Sequence, residues 1–394
     1  MQPLEDTPMI EWQPRAKAYA QQLADSGAIT DPAWLEAFEQ TPRHLFVPRF
    51  WALDEFNAPH HVVDGANPDQ REEWLGAVYS DQFLATQVKD GIITSSASQP
   101  SLVATMLELL DAEPGCRVLE IGTGTGYNTA LLCHRVGDRN VASVDIDGDL
   151  VAEADALLAE LGLRPDLVTT DGATGLPGGP HGSGHRYHRI IATCASPGVP
   201  AAWIEQLADG GRIVAPFTFG GALAVVTKTG PTEIQGHFAA EPAWFMPLRP
   251  DAHLPMPSGH LINLPDHPPA DAAHIGTTDV NADIYDPDFR LWLVLHLPGA
   301  RLVDWVDDAT HRRTGQVIHT ATHIAVAEFE TDDGTPRVTQ DDRRLWDTVE
   351  AAWRSWQDHD RPARTRLGIT ARTDGTQRAW LDTPASPISW PVRC

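Results

Sequence analysis

Long apolar runs are missing from this 394-residue chain: 42% of its residues are hydrophobic, yet no stretch reaches the ~20 apolar residues that a membrane-spanning helix needs. Met1 to Pro14 carries acids and prolines where a secretory signal would place a basic stretch and then an apolar one. A signal is therefore not expected, and the cytoplasm is the expected location. Cysteine is scarce. Cys116, Cys133, Cys194 and Cys394 show no CxxC spacing, which argues against a disulfide framework or a zinc site and for free thiols in a reducing compartment. Positive charge is short as well: 29 Lys and Arg face 54 Asp and Glu, for a net −25. Such a chain repels phosphates, so nucleic acid is not an expected substrate or partner. The deficit is uneven, because from Arg301 onward 13 Arg face 15 acids, which leaves −23 on the first 300 residues. The C-terminal third is the part able to receive an acidic partner; pairing of its arginines with nearby acids is the plainer reading.

What is present alternates. Residues 15–50 read as two short helices, the second started by Asp31-Pro32, a cap followed by a first-turn proline. Residues 54–80 read as a polar loop or small insertion. From about 100 to 230, helices alternate with short buried strands. The helices cover 101–110 (with Leu102, Met106, Leu109 and Leu110 inward), 128–135 and 149–161; the strands cover 117–121, 140–145, 167–170, 189–193 and 211–216. That order predicts an α/β fold with a doubly wound, Rossmann-like, mainly parallel sheet. Beyond residue 230, prolines cluster from Pro242 to Pro269. Later segments read as strands over 290–297 and 324–329, a helix over 341–356, and two strands flanking the turn Asp374-Gly375. Eight of the 13 tryptophans fall between 244 and 390, which predicts an additional C-terminal α+β domain with its own core. The expected division is an N-terminal helical segment and insertion (1–90), a cofactor-binding domain (91–230) and an accessory, substrate-recognising domain (231–394). No internal repeat is visible.

The central signal is Val118-Leu119-Glu120-Ile121-Gly122-Thr123-Gly124-Thr125-Gly126-Tyr127, an apolar strand that runs into three alternate glycines and then a helix. Glycine lets the backbone approach a ligand at the strand's carboxyl end, where α/β sheets bind. The spacing is GxGxG, not GxGxxG, which favours S-adenosyl-L-methionine over a dinucleotide whose pyrophosphate needs a helix N-terminus. Asp145 follows Gly126 at about the spacing of a ribose-binding acid, Ile146 is placed to pack on the adenine, and Asp171-Gly172-Ala173 ends the third strand, where a carboxylate can accept from the adenine amino group. A lone glycine cluster is often only a structural turn; three elements in register weigh against that.

The flanks carry a resemblance. Thr41-Pro42-Arg43-His44-Leu45-Phe46-Val47-Pro48, Ser96-Ala97-Ser98-Gln99-Pro100, Glu120 through Tyr127, and Arg189 through Pro197 with Gln206-Leu207 and Gly210-Gly211-Arg212 resemble, in order, the motifs of the protein-L-isoaspartate O-methyltransferases over about residues 15–230. The resemblance implies a class I methyltransferase that uses S-adenosyl-L-methionine on an aspartate or isoaspartate carboxylate of a peptide or protein. It implies that Ser96, Ala97, Ser98 and Gln99 close over the methionine end of the cofactor, and that Ser98 hydrogen-bonds the acceptor. Ser96 departs from a common Thr, and Ser101 from a common His. Leu345-Trp346 through Trp353, Arg366 through Thr370, Asp374-Gly375 and Ala379 through Asp382 resemble extended methyltransferases that accompany ATP-grasp peptide maturases. Those act on crosslinked ribosomal peptides (graspetides), where the methylated aspartate collapses to an aspartimide. The alternatives are repair of isoaspartyl damage and, in another class, a non-catalytic receptor built on the cofactor pocket.

No metal site is expected: His181, His185 and His188 share a Gly-rich loop without an interleaved acid or Cys. Cys194 reads as a small buried residue rather than a nucleophile, and Ser98 could simply cap the following helix. A carboxylate acceptor is ionised at neutral pH and needs no general base.

Overall fold

A computed structural model describes residues 12–54, 57–250, 274–306, 312–331 and 333–392. Its spine is a ten-stranded sheet. The strands are β1 (Val118–Ile121), β2 (Val141–Asp145), β3 (Asp166–Thr169), β4 (Tyr187–Ala192), β5 (Leu207–Pro216), β6 (Leu223–Gly230), β7 (Glu233–Phe238), β8 (Leu367–Arg372), β9 (Gln377–Leu381) and β10 (Ser389–Pro391). Their spatial order is β10-β9-β8-β7-β6-β5-β4-β1-β2-β3. The pairs from β5 through β3 are parallel and the rest antiparallel. This is the class I S-adenosylmethionine methyltransferase architecture with a strand-rich C-terminal addition.

The parallel strands are apolar on both faces because both faces are covered. Alternate residues enter two different cores: Leu119, Ile190 and Ile213 pack with Trp203 and Trp292 on one face, and Val118, Ile191 and Val214 pack with Tyr19, Phe38 and Leu131 on the other. The N-terminal helices (Gln13–Asp25 and Pro32–Gln40) cover that second face, and Asp31 caps the second helix by accepting from Ala33 N at 2.8 Å.

The C-terminal addition has two parts. β8, β9 and β10 extend the central sheet, β8 pairing with β7. A separate five-stranded antiparallel sheet orders His274–Thr277, Arg337–Gln340, Ile324–Glu328, Arg313–His319 and Arg301–Val306. Residue 230 therefore lies within the β6–β7 hairpin, between two hydrogen-bonded strands. Asp374-Gly375 makes the expected hairpin turn, with Gly375 at φ 85°.

Several local expectations are corrected. Residues 54–80 contain a strand, Pro59–Asp64, and a helix, Arg71–Val78. Trp74 of that helix lies against Gly65, where a Cβ would come within 2.5 Å of the indole, and donates from Nε1 to Val47 O at 2.7 Å. The stretch 290–297 is a helix, Pro287–His296, not a strand. Asp286 caps it, accepting from Asp288 N at 2.8 Å, and Leu291, Trp292, Leu293 and Leu295 are all buried. Burial on several sides erases the helical period, and a short apolar run then reads equally as a strand. In the helix Pro100–Leu110 the inward set includes Val103, Ala104 and Leu107, while Leu102 and Leu109 are only half-buried. The helix expected from 341 begins at Leu345. The latter part of the Pro242–Pro269 cluster lies outside the described residues.

Candidate active site

At the carboxyl ends of β1 and β2, where the fold places its ligand crevice, lies a cavity of about 950 Å³. Its floor comes from the ends of these two neighbouring strands. Gly122, Gly124, Asp145 and Ile146 all line it. Gly122 has φ +101°, and a Cβ there would meet Thr193 Oγ1 at 2.6 Å; only glycine fits. Gly124 has φ +51°, and the nearest atom to a Cβ there is Ser95 Oγ at 3.8 Å. What a side chain at 124 would fill is the cavity itself. Asp145 is aimed by the backbone: Oδ2 accepts from Gly124 N at 2.9 Å and Oδ1 from Asp147 N at 3.0 Å.

Beneath the loop, Glu120 is fully buried on β1. It accepts from Asn128 Nδ2 at 2.7 Å, from Ser143 Oγ at 2.7 Å and, by a short contact, from Thr129 Oγ1. Ser143 in turn shares a hydroxyl contact of 2.7 Å with Thr123. This network joins β1, β2 and the following helix to the glycine loop. Burial without a cationic partner pushes the Glu120 carboxyl up to about 7, against the pull of its three donors.

The opposite wall is assembled from distant pieces. The hairpin Leu84–Lys89 and Ile92–Ala97 belongs to a four-stranded antiparallel sheet with Arg49–Leu53 and Pro59–Asp64. Its second strand brings Ser96, Ala97, Ser98 and Gln99 to the cavity. Ser98 does not cap the next helix: the cap position is Gln99, without a side-chain capping bond. Asp81 serves instead, accepting from Ser101 N at 2.8 Å and from Gln99 Nε2 at 3.1 Å. The Ser98 carbonyl accepts from the buried Arg43 guanidinium at 3.3 Å. Arg43 also donates to Val78 O at 2.5 Å and lies over the rings of Tyr19 and Tyr127. The far end of the hairpin is tied down by Lys89 Nζ, 2.6 Å from Asp147 Oδ2. Burial opposes ionisation of Asp147, yet Lys89 and Gln87 hold its carboxyl below the ordinary range. A second wall segment, Trp244 to Arg249, is fixed to the end of β4: Ala195 N donates to Met246 O at 2.8 Å and Leu248 N to Ala195 O at 2.7 Å.

Three expected positions fall elsewhere. Gly126, at φ +85°, packs against Ala154 and does not line the cavity. Asp171 caps its own turn, accepting from Ala173 N at 2.8 Å, and neither Asp171 nor Ala173 lines the cavity. Gly172 does line it, seated against Ile121 and Leu248, while its carbonyl accepts from Trp203 Nε1 at 2.8 Å. His181 and His185 are exposed, and the His188 ring is held by Arg117 N at 3.0 Å. Among the described residues, no group of three His, Cys, Asp or Glu is arranged to hold a metal. Cys194 reaches the cavity, but burial pushes its thiol up, away from a nucleophilic thiolate. Asp81, Phe83 and the segment Trp244–Arg249 were not legible as site residues. No short motif marks them, and only tertiary contact brings them here.

A family model described as protein-L-isoaspartate(D-aspartate) O-methyltransferase (PCMT) matches residues 14–250. The chain belongs to that family. The chain is 34% identical over 239 residues to protein-L-isoaspartate O-methyltransferase 2 of Anaeromyxobacter sp. (strain Fw109-5), covering 60% of this chain and 83% of that one. It is 44% identical over 162 residues to the protein-L-isoaspartate O-methyltransferase of Anaeromyxobacter dehalogenans, covering 40% and 73%. With the Aeropyrum pernix protein of the same name it shares 36% identity over 201 residues, half of this chain and 64% of that one. A solved protein-L-isoaspartate O-methyltransferase shares the fold at TM-score 0.51 and 21% identity, covering 93% of this chain and all of that one. That likeness extends well past residue 250, so the C-terminal addition of this family member is not foreign to the family's fold. No helix among the described residues is long and apolar enough to cross a membrane.

Proposed function

We propose that the protein transfers a methyl group from S-adenosylmethionine to an aspartyl or isoaspartyl carboxylate of a peptide or protein. The observation that carries this reading is the single cavity in which Gly122, Gly124 and Asp145 face Ser96–Gln99. The floor fits the cofactor: there is a glycine cradle that a Cβ would fill, and an aimed carboxylate for ribose hydroxyls. When bound, S-adenosylmethionine supplies an electrophilic methyl on a positively charged sulfur. Ser98 lines the same cavity and is the residue proposed to hold the acceptor by its hydroxyl. An ionised carboxylate is itself the nucleophile, so no proton has to move. Neither His nor Lys lines the cavity among the described residues, in keeping with that chemistry. What remains for the protein is alignment and exclusion of water.

Two acceptors fit. The names of the relatives favour isoaspartyl residues in proteins, the repair reading. The resemblance of residues 345–382 to methyltransferases beside ATP-grasp maturases favours an aspartate held in a crosslinked ribosomal peptide, with aspartimide as the outcome. Length alone does not separate them, since a solved isoaspartate methyltransferase aligns over 93% of this chain. A constrained ring would lose less entropy on binding than a linear chain. The test offers the purified protein three substrates: a crosslinked precursor, its linear form and a generic isoaspartyl peptide. Mass spectrometry follows addition of one methyl and then loss of methanol on imide closure. Preference for the ring supports peptide maturation; preference for the isoaspartyl peptide supports repair. Methylation of none, with intact cofactor binding, would leave the non-catalytic receptor.

A further inference from the structure

Lysine occurs three times in this chain, at 17, 89 and 228. Lys17 is exposed on the first helix, and Lys228 is buried, with its Nζ on the carbonyls of Ile204 and Leu207, both at 2.7 Å. Lys89 is placed differently. It ends the first strand of the cavity hairpin, and its Nζ reaches Oδ2 of Asp147, whose side chain is only 5% exposed. Gln87, two residues back, donates from Nε2 to the same oxygen at 3.3 Å. Thr94, across the hairpin, donates to Gln87 Oε1 at 2.6 Å, which leaves the amide's donor end for Asp147. Among the described residues, Lys89 with Asp147 is the only ion pair between hairpin and floor.

Asp147 is where the two halves of the cavity meet. Its Oδ1 accepts from Asp149 N at 3.1 Å and caps the helix Gly148–Glu160, and its own N donates to Asp145 Oδ1 at 3.0 Å. One residue thus holds the floor carboxylate through its backbone and the hairpin through its side chain. The hairpin lines the cavity continuously from Gly91 to Gln99. It is also built to give. Its second strand is the edge of the four-stranded sheet. Its register shifts on both sides of Gln87, and such bulges bend a ladder. Its tip turns through two residues at positive φ, Asp90 at +52° and Gly91 at +75°. The Lys89 side chain is 44% exposed, so solvent competes for the ammonium.

Resting on the methyltransferase reading above, we infer that Lys89 is a positioning residue that couples the cofactor and acceptor sites through Asp147. A ligand held by Asp145 steadies Asp147, Asp147 holds Lys89, and the latched hairpin presents Ser96–Gln99 to the acceptor. An ion pair half open to water contributes little by itself. A ligand lying between floor and hairpin adds contacts that exist only with the hairpin down, so it favours the latched arrangement by that difference. The acceptor then meets a wall already in place, and the cofactor is the ligand that binds first. Linkage makes the effect reciprocal: the factor by which cofactor strengthens acceptor binding is the factor by which acceptor strengthens cofactor binding. Lys89 does not line the cavity, so its loss removes the coupling and leaves both sets of direct contacts in place.

Two measurements on the full chain test this. In the first, acetic anhydride labels amines with and without S-adenosylhomocysteine, and mass spectrometry compares Lys89 with Lys17 as the exposed reference. Ligand should lower labelling of Lys89 severalfold and leave Lys17 unchanged. In the second, calorimetry measures binding of an isoaspartyl peptide and of a crosslinked precursor, each with and without S-adenosylhomocysteine. Wild type should bind its better acceptor about tenfold more tightly when S-adenosylhomocysteine is present, within the usual range for linked sites. Lys89→Met should reduce that factor to about one while affinity for S-adenosylhomocysteine alone stays within about threefold. Lys89→Arg should restore most of the coupling. Asp147→Asn, whose carbonyl can keep the cap on Asp149 N, should lose it as Lys89→Met does. In steady state at saturating cofactor, the acceptor KM of Lys89→Met rises and kcat holds. Lys89 labelling that ignores bound ligand, a wild type without coupling, or coupling that survives Lys89→Met overturns the inference. Coupling in a wild type that transfers no methyl group would support the latch and count against the methyltransferase reading.

Discussion

The floor and the wall of the cavity are built on opposite principles. The floor runs within Gly122 to Asp147, and its parts touch through short-range geometry: Gly124 N meets Asp145, and Thr123 meets Ser143. The wall gathers Phe83, Ser96–Gln99 and Trp244–Arg249, held by Asp81, Arg43 and the end of β4. A floor of that kind serves a ligand of fixed chemistry. A wall made from separable segments can vary with the acceptor while the floor is kept. If this division is real, substitutions in the floor should act on the cofactor and substitutions in the wall on the acceptor.

The largest effect should come from Gly124→Val. Since a Cβ at Gly124 meets no protein atom closer than 3.8 Å, the fold should survive apart from the strain of a positive φ, while the added methyls occupy ligand space. Binding of S-adenosylhomocysteine should fall at least ~100-fold by calorimetry, beyond the ~2.7 kcal/mol that such a factor represents. Unchanged affinity in a folded variant would show that the glycine loop is only a turn.

Next comes the seam behind the wall. Arg364 is 1% exposed. It donates to Gly221 O at 3.0 Å and to Gly220 O at 3.4 Å, and pairs with Asp288 at 3.3 Å. Gly221 in turn seats Trp244, whose indole lies 2.9 Å from where a Cβ would be, and its carbonyl accepts from Ala243 N at 2.9 Å. The C-terminal third thus braces the acceptor wall through one guanidinium. Arg364→Met removes the guanidinium bonds to Asp288 and to the carbonyls of Gly220, Gly221 and Pro287, costing about 3 kcal/mol in denaturant unfolding; Asp288 keeps the bond from Arg364 N and partial solvent access, and Gly221 O keeps Ala243 N, which holds the figure toward the low end for a broken buried pair. Acceptor KM should rise while cofactor affinity stays within twofold. Equal loss of both would mean that the seam supports the whole cavity and that floor and wall are not separable.

The same division explains what could be read from the sequence. Strand, glycine loop and helix follow one another without interruption, so their chemistry is visible in ten residues, and the α/β alternation from 100 to 230 comes with it. Asp145 was legible for the same reason. Asp171 does not line the cavity; one of its carboxylate oxygens accepts from Ala173 N in its own turn, a local arrangement that spacing does not reveal. The wall depends on contacts between residues 81 and 101, 43 and 98, or 94 and 249, and no periodicity encodes such pairs. The 290–297 stretch failed differently: a helix buried on several sides has no polar face to betray its period.

The smallest predicted effect tests the floor from beneath. Glu120 is a buried carboxylate served by neutral donors only, and its pKa is pushed from 4.5 to about 7 in the folded state. A folded-state pKa above the unfolded one means that the folded protein binds the proton more tightly. The stabilisation linked to protonation is then fully present below about 4.5 and is lost as pH rises through about 7. Glu120→Gln keeps the shape and removes the titration. Its carbonyl can take the Asn128 bond, and its amide can face the hydroxyls of Thr129 and Ser143, which accept as readily as they donate. Relative to this variant, wild type should lose a few degrees of Tm between pH 4.5 and 7 in thermal melts, with little further change above. Cofactor affinity should follow only weakly, because Glu120 reaches the glycine loop through Ser143 and Thr123 and does not touch the cavity. A Tm difference flat across that range would mean that the three donors hold Glu120 ionised throughout. The network would then be a permanent anion site inside the sheet, and the floor would carry a fixed negative charge beneath its positively charged ligand.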